Sequence, residues 1–403
     1  MSEAVIVATG RTPIGRAEKG SLASVRPDDL AAGVVRSVLD SVPELDPHEV
    51  EDVILGCGMP AGESGWNLAR VTAVLAGLHD VPGVTVNRYC SSSLQAIRMA
   101  FHAVRAGEGE IFVAAGVETV SRFKYGTSDL LEAVNPRFGE AMERTHRRSL
   151  GFESTWTPPA GLPDVYIAMG QTAENVAEIE KVSRGEMDEF AMRSQELAVA
   201  NQASGYFDAE IVPVRLADGQ VVLKDDGPRP GTTLAALAAL KPVFREGGRV
   251  TAGNSCPLND GAAAVVVMSA VKARRLGLKP LGRIVSSAVG ALDPEIMGLG
   301  PVDASRLALK RAGLTMQDVD LVEINEAFAA QVIPSARHLD IPWDKLNVRG
   351  GSIALGHPFG MTGARIMTTL LHALREGDKR YGLETMCVGG GQGMAMVVER
   401  LGD

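Results

Sequence analysis

The sequence predicts an α/β protein made of two similar halves with an inserted loop region. Three observations carry this. Short apolar strands alternate with helical patterns from the start to about Ser121, and the same alternation returns after Gly282. Between Arg122 and Arg249 the composition shifts toward Pro, Arg and Glu, with the turn-prone Pro158-Pro159 and Asp226-Gly227-Pro228. At 403 residues the chain exceeds what one hydrophobic core supports, so more than one core-bearing unit is expected.

In order, Ala4–Ala8 reads as a strand, Val53-Ile54-Leu55 as a second and Val84-Thr85-Val86 as a third, each rich in β-branched or apolar residues. Leu94, Ile97, Phe101 and Val104 recur at helical spacing, and Ile111–Ala115 is again a strand. The insert holds helical stretches near Glu174 to Gln202. Arg283-Ile284-Val285 reopens the strand pattern, followed by a helix over Ala304–Ala312, a strand at Leu321–Ile324 and a helix from Glu326. A helix over Gly363–Glu376 and strands at Thr385–Val388 and Met394–Val398 close the chain. Ile111–Val120 and Thr385–Val397 share a rhythm, a strand running into a glycine-bearing turn, as a diverged duplication would leave. The division expected is 1–121 with 250–275 completing it, an inserted loop domain at 122–249, and a second half at 276–403.

Hydrophobic residues at 45% and charged residues at 22% fit an ordinary globular enzyme, and 40 basic against 49 acidic residues argue against a nucleic-acid binder. Arg144, His146, Arg147 and Arg148 form a local basic cluster, read as a solvated face more readily than as a phosphate site. Cys57, Cys90, Cys256 and Cys387 are widely spaced with no CxxC pair, so neither a zinc site nor a disulfide scaffold is indicated. No apolar run is long enough to span a bilayer, the first strand leaves no room for a leader, and Arg400–Asp403 matches no peroxisomal address. A cytoplasmic protein is expected, with no metal, no membrane and no nucleic-acid partner.

Chemistry-bearing residues cluster where strands end. Cys90, in Tyr89-Cys90-Ser91-Ser92-Ser93-Leu94, falls between the Val84–Val86 strand and the next helix, where free N–H groups and the helix dipole favour a thiolate. A buried, inert thiol is the alternative. Asn325, in Glu323-Ile324-Asn325-Glu326-Ala327-Phe328, follows a strand and reads either as a helix cap or as a group fixing a water or carbonyl. His357 is framed by Gly350, Gly351, Gly356, Gly360 and Gly363 and stiffened by Pro358. Cys387 leads into Gly389-Gly390-Gly391-Gln392-Gly393, whose amides suit a developing oxyanion; neither a Walker nor a dinucleotide pattern is present.

Two cysteines, a histidine and an asparagine in this setting resemble the thiolases, acetyl-CoA C-acyltransferases. So do Ala8-Thr9-Gly10-Arg11-Thr12-Pro13-Ile14-Gly15, Met169–Asn175, and Thr251-Ala252-Gly253-Asn254 with Leu258-Asn259-Asp260-Gly261-Ala262-Ala263. The resemblance runs nearly end to end. It implies the thiolase fold, five layers in the order α-β-α-β-α, a homodimer or homotetramer, and reversible Claisen condensation of acyl-CoAs or thiolytic cleavage of 3-oxoacyl-CoAs. Coenzyme A would be substrate and product, with no permanently bound cofactor. By the same resemblance Cys90 takes the acyl group and His357 its proton. Cys387 exchanges the α-proton, Asn325 with His357 serves the enolate oxygen, and the backbone of Cys90 and Gly389 serves the tetrahedral oxyanion.

The chain departs from the family in places. Ser93 stands where a glycine is common, which puts the acyl pocket's reach in question. Cys256-Pro257 replace a Ser-Gly pair near the pantetheine arm, so Cys256 either touches that arm or fills space. Arg229 falls where an adenine-contacting arginine is found, and Met169 would border the acyl pocket with Ala168 in place of a histidine. The rival readings are a β-ketoacyl synthase-type condensing enzyme, against which Cys387 argues, and a thiolase-like acyl-CoA or sterol binder, for which the four site residues would be surplus. Cys57 is expected only to pack.

Overall fold

The computed structural model describes residues 2–152 and 155–402. Its strands are β1 (Ala4–Arg11), β2 (Asp52–Gly56), β3 (Gly83–Val86), β4 (Ile111–Thr119), β5 (Asn259–Ser269), β6 (Gly282–Ala291), β7 (Leu321–Ile324), β8 (Tyr381–Val388) and β9 (Gln392–Glu399). Its principal helices are α1 (Pro27–Asp40), α2 (Leu68–Leu75), α3 (Ser92–Ala106), α4 (Gly139–Ser149), α5 (Met169–Ile179), α6 (Arg184–Ala203), α7 (Gly300–Ala312), α8 (Ala329–His338) and α9 (Thr362–Glu376).

The strands run β7-β8-β9-β6-β1-β5-β4-β2-β3. The two halves of this order join only through Val5 with Arg283 and Ile6 with Gly282, so the sheet is two sheets meeting at a short ladder. Within the first half β2 is parallel to both β3 and β4, and β5 runs antiparallel to β4 and β1. Within the second β7 is parallel to β8, and β9 antiparallel to β8 and β6.

Strand alternation sorts the core into layers. On β5, Ala263, Val265 and Val267 face a central cluster shared with α3 and α9, while Ala262, Ala264, Val266 and Met268 face α1 and α2. On β9, Met394, Met396 and Val398 join the same centre and Ala395 and Val397 face α7 and α8. The order is therefore helices, sheet, helices, sheet, helices: the five-layered α/β arrangement that the resemblance implies. Each fully buried Val, Leu or Met contributes about 1.5–3 kcal/mol, and with buried clusters of similar size in the middle and on the two outer sides, each sheet is held on both faces.

Leu94, Ile97, Phe101 and Val104 of α3 are all buried, as their spacing predicts. From Thr362 through Leu371 every residue of α9 is buried, because α9 packs on both sheets and on α3. The two helices begin against each other: a Cβ on Gly363 would lie 2.4 Å from the Leu94 nitrogen, a contact only glycine allows.

Several local expectations shift. The helical stretches expected near Glu174–Gln202 are α5 and α6, whereas the helix expected from Glu326 begins only at Ala329, with Phe328 as its N-cap. Asn325 is thus not a helix cap. The basic cluster on α4 is not simply a solvated face. Arg144 and Arg148 both reach Glu295 at 3.3 Å, and Glu295 also accepts from Trp156 Nε1 at 2.8 Å and Asp164 N at 3.0 Å. Glu295 thereby fastens the inserted segment to the second half. No helix among the described residues is long and apolar enough to cross a membrane.

Candidate active site

Cys90, Asn325 and Cys387 lie at or just beyond the carboxyl ends of β3, β7 and β8, where open α/β sheets bind ligands. Cys90 is the middle residue of a tight 3-10 turn, Tyr89–Ser91, that leads into α3. Tyr89 has a left-handed φ of 42°, stabilised by its N–H donating to Asn87 Oδ1 at 2.7 Å. The end of β8 packs against this turn.

The Cys90 sulfur has the N–H groups of Gly389 and of Cys90 itself in reach, and both favour the thiolate. Burial wins, pushing the thiol up to about 12, with the Glu118 carboxyl adding to the rise. The expectation of a resting thiolate is therefore corrected: the dipole and amides are present, but the site is too dry for them to prevail. Burial raises the Cys387 thiol well above its ordinary value too, and neighbouring Cys90 and Cys256 raise it further. Cys256, part-buried, is raised by burial and then by Cys90. Three of the four thiols thus share one locality.

His357 is buried and held down to about 3, first by burial and then by the Arg365 charge, so it is a neutral imidazole. Its Nδ1 lies 2.6 Å from Thr362 Oγ1, whose hydroxyl donates to Pro358 O at 2.9 Å. With that hydrogen committed, the Thr362 oxygen accepts from Nδ1–H and Nε2 keeps its lone pair. Asn325 agrees: Ser352 Oγ donates to Asn325 Oδ1 at 2.6 Å, so the amide NH2 faces Nε2 at 3.3 Å and can only donate to it. The backbone N–H of His357 donates to Asn259 Oδ1 at 2.9 Å. Gly356 makes this possible with φ 116°; a Cβ there would lie 2.6 Å from the Asn259 carboxamide.

A cavity of about 290 Å³ opens on Cys90, walled by Tyr89, Met169, Phe359 and Gly389 and by Asp129 and Val134 of the inserted segment. Met169 and Gly389 thus stand beside Cys90. Ser93 does not: it is fully buried, and its Oγ accepts from Ala364 N at 2.9 Å in the α3–α9 contact. The extra side chain fills an interhelical space instead of narrowing the pocket. Arg229 is exposed near Arg16, its N–H donating to Gln195 Oε1 at 2.9 Å, and does not line this cavity. Among the described residues no His/Cys/Asp/Glu group is arranged to hold a metal.

Sequence reasoning missed Thr362, Ser352, Asn259 and Glu118. Thr362 and Ser352 lie in the glycine-framed run around His357, five residues on either side of it, and proximity was the available signal. Glu118 is the one charged residue in the otherwise apolar β4. Burial pushes it up to about 7, while the N–H groups of Gly58, Gly360 and Met59, at 2.8, 2.9 and 3.2 Å, oppose the rise. It ties the loop after β2 to the loop after His357, and Cys57 packs on it with its sulfur 3.6 Å away.

The profile of the thiolase N-terminal domain matches residues 4–271 and that of the thiolase C-terminal domain residues 278–400. The chain belongs to the thiolase family. It is 45% identical to a 3-oxoadipyl-CoA/3-oxo-5,6-dehydrosuberyl-CoA thiolase of Escherichia coli K12, covering 100% of both chains. It is 43% identical to a 3-ketoacyl-CoA thiolase of Bacillus subtilis over 99% of this chain and 100% of that one. The crystal structure of a Bacillus anthracis acetyl-CoA acetyltransferase superposes with a TM-score of 0.86 at 40% identity, covering 100% of this chain and 99% of that one. This thiolase is an acyltransferase whose reaction makes or thiolytically cleaves 3-oxoacyl-CoA.

Proposed function

We propose that this thiolase works through Cys90 as acyl carrier, His357 as its base, Cys387 as the acid–base for the α-carbon, and Asn325 as an enolate-side donor. The observation that carries the assignment is the bracket around the His357 ring, Thr362 Oγ1 2.6 Å from Nδ1 and the Asn325 carboxamide nitrogen 3.3 Å from Nε2, which together favour an Nε2 that keeps its lone pair. Since the Cys90 thiol and the imidazole are both neutral at rest, proton transfer to Nε2 accompanies attack on the thioester carbonyl. The tetrahedral oxyanion is served by the Gly389 and Cys90 N–H groups.

In the thiolytic direction Cys90 attacks the 3-oxo carbonyl and the C2–C3 bond breaks. The acetyl-CoA enolate takes the Cys387 proton. Incoming coenzyme A then gives its thiol proton to the Cys387 thiolate and its sulfur takes the acyl group, while the departing Cys90 sulfur takes its proton back from His357. A protonated resting Cys387 suits the first role.

The acyl group in this reading is uncharged. Among the residues lining the cavity the charged side chain is Asp129, a carboxylate that would repel the terminal carboxylate of an oxoadipyl chain. Coenzyme A is the carrier, and the closeness of Cys256 to Cys90 and Cys387 supports a contact with its arm. The segments 1–121 with 250–275, 122–249 and 276–403 act as half, cover and half. A homodimer or homotetramer is supported by the edge strand β3, half-exposed along its length beside Trp66, which is 93% exposed. Four free cysteines support a reducing, cytoplasmic setting.

The test is intact-protein mass after incubation with acetyl-CoA, on native and Cys387→Ala protein, followed by thiolysis across short, medium and ω-carboxylated 3-oxoacyl-CoAs. Native protein and Cys387→Ala both gain one acetyl group on Cys90. Cys387→Ala loses condensation by about 10²–10⁴-fold, the usual range for a proton-transfer group. Absence of the adduct on native protein would leave an acyl-CoA binder. Equal loss of both half-reactions in Cys387→Ala would overturn the role given to it, and oxoadipyl-CoA as the best substrate would overturn the uncharged acyl group.

A further inference from the structure

Asn325 has two chemically opposite ends on one nearly symmetrical carboxamide, and packing alone hardly distinguishes them. The backbone around it is fixed: its N–H donates to Thr385 O at 3.0 Å and its carbonyl accepts from Gln331 Nε2 at 2.6 Å. Those contacts place the side chain and leave its flip open. The flip matters, because an Oδ1 aimed at His357 would draw the imidazole proton to Nε2 and remove the base.

Ser352 closes the question. Arg365 Nη2 donates to Ser352 Oγ at 2.8 Å, and Ser352 Oγ stands 2.6 Å from Asn325 Oδ1. A guanidinium has hydrogens to give and no lone pair to offer, so the serine oxygen must accept from it. Among the described residues the one acceptor in reach of its own hydrogen is the Asn325 carboxamide oxygen, at 2.6 Å, and turning the amide would leave that buried hydrogen with no acceptor. All four side chains are buried, so water does not compete for these bonds.

We propose that Ser352 and Arg365 are positioning residues that fix the amide flip of Asn325, and through it the tautomer of His357, by a one-way chain of donors Arg365→Ser352→Asn325→His357. The chain rests on the roles given above to Asn325 and His357. Polarity enters at the guanidinium, which has no acceptor end, and each step passes one hydrogen toward the reaction centre. The same charge holds His357 neutral, so Arg365 reinforces by field what it transmits by contact. Buried Glu323 and Glu384, adjacent on β7 and β8, feel the Arg365 charge, but burial pushes both carboxyls up, Glu323 to about 8.

The experiment compares Ser352→Ala, Ser352→Thr, Asn325→Ala and the Ser352→Ala/Asn325→Ala double variant. Three rates are read: thiolysis of acetoacetyl-CoA, exchange of deuterium from CD3-acetyl-CoA into water, and acetylation of Cys90 by intact mass. One neutral hydrogen bond's worth of orientation corresponds to about a tenfold fall. Ser352→Ala is expected to lower kcat for thiolysis and the deuterium exchange by about that factor with KM unchanged. Ser352→Thr, which keeps the hydroxyl, restores both, and the double variant is no slower than Asn325→Ala alone. A full exchange rate in Ser352→Ala beside a slowed Asn325→Ala would overturn the positioning role, as would a double variant slower than Asn325→Ala. An unaffected Asn325→Ala would instead overturn the role given to Asn325, so the two failures are separable.

Discussion

Thr362→Val is the sharpest probe of the His357 geometry, because valine matches threonine in shape and removes only the hydroxyl. In the native protein Thr362 Oγ1 accepts from His357 Nδ1 at 2.6 Å within a fully buried pocket. The valine variant leaves a buried N–H without an acceptor, which costs about 1–3 kcal/mol. The imidazole can escape only by moving its proton to Nε2, where it no longer accepts a proton from Cys90. Either outcome lowers kcat/KM for acetoacetyl-CoA thiolysis by about 5- to 150-fold, the rate equivalent of that energy. Thr362→Ser, which keeps the acceptor, should remain within a few-fold of native. The assay is steady-state thiolysis, paired with the rate of Cys90 acetylation by intact mass. Thr362→Val running at the native rate, with its fold intact by circular dichroism, would refute the tautomer argument outright.

Two further perturbations follow from buried charge. His357 is held near pH 3 when folded and returns toward its ordinary value of 6.5 when unfolded. Below 6.5 the unfolded chain therefore binds a proton that the folded one refuses, so stability falls as pH drops from 6.5 to 5 by about 2 kcal/mol from this group, at 1.36 kcal/mol per unit. Urea midpoints across that interval should slope less in His357→Asn than in native protein, and identical slopes would contradict it. Glu295→Ala removes the acceptor shared by Arg144, Arg148, Trp156 and Asp164 N, an effect of about 3–5 kcal/mol for a broken buried ion pair. Limited proteolysis should then cut between residues 122 and 167 at doses native protein survives; unchanged resistance would deny that Glu295 is the fastening.

Where strand and helix were legible in the sequence, one periodicity dominated. Leu94, Ile97, Phe101 and Val104 face one way and β8 and β9 alternate cleanly, so these elements could be read without their neighbours. The start of α8 could not, since Asn325 and Glu326 have cap chemistry and are diverted to Ser352, His357 and Ser194 by tertiary contacts. Cys90, His357, Asn325 and Cys387 were legible because glycines and strand ends framed them. The direction of the Ser93 side chain was not, because it depends on α9, some 270 residues away, offering the Ala364 N–H. The protonation of Cys90 was misjudged for the same reason: local dipoles are written in the neighbouring residues, and dryness is written in the whole fold.

The opening contact between α3 and α9, where Gly363 lies against the Leu94 backbone, bears on how such a molecule can change over time. Cys90 stands at one helix's entry and His357 just ahead of the other's, so the residues proposed as nucleophile and base come from distant parts of the chain brought together by this helix contact. A substitution at Gly363 moves both partners at once. The two helices are therefore bound to one another, their flanking elements free to drift and the line where they touch obliged to change together.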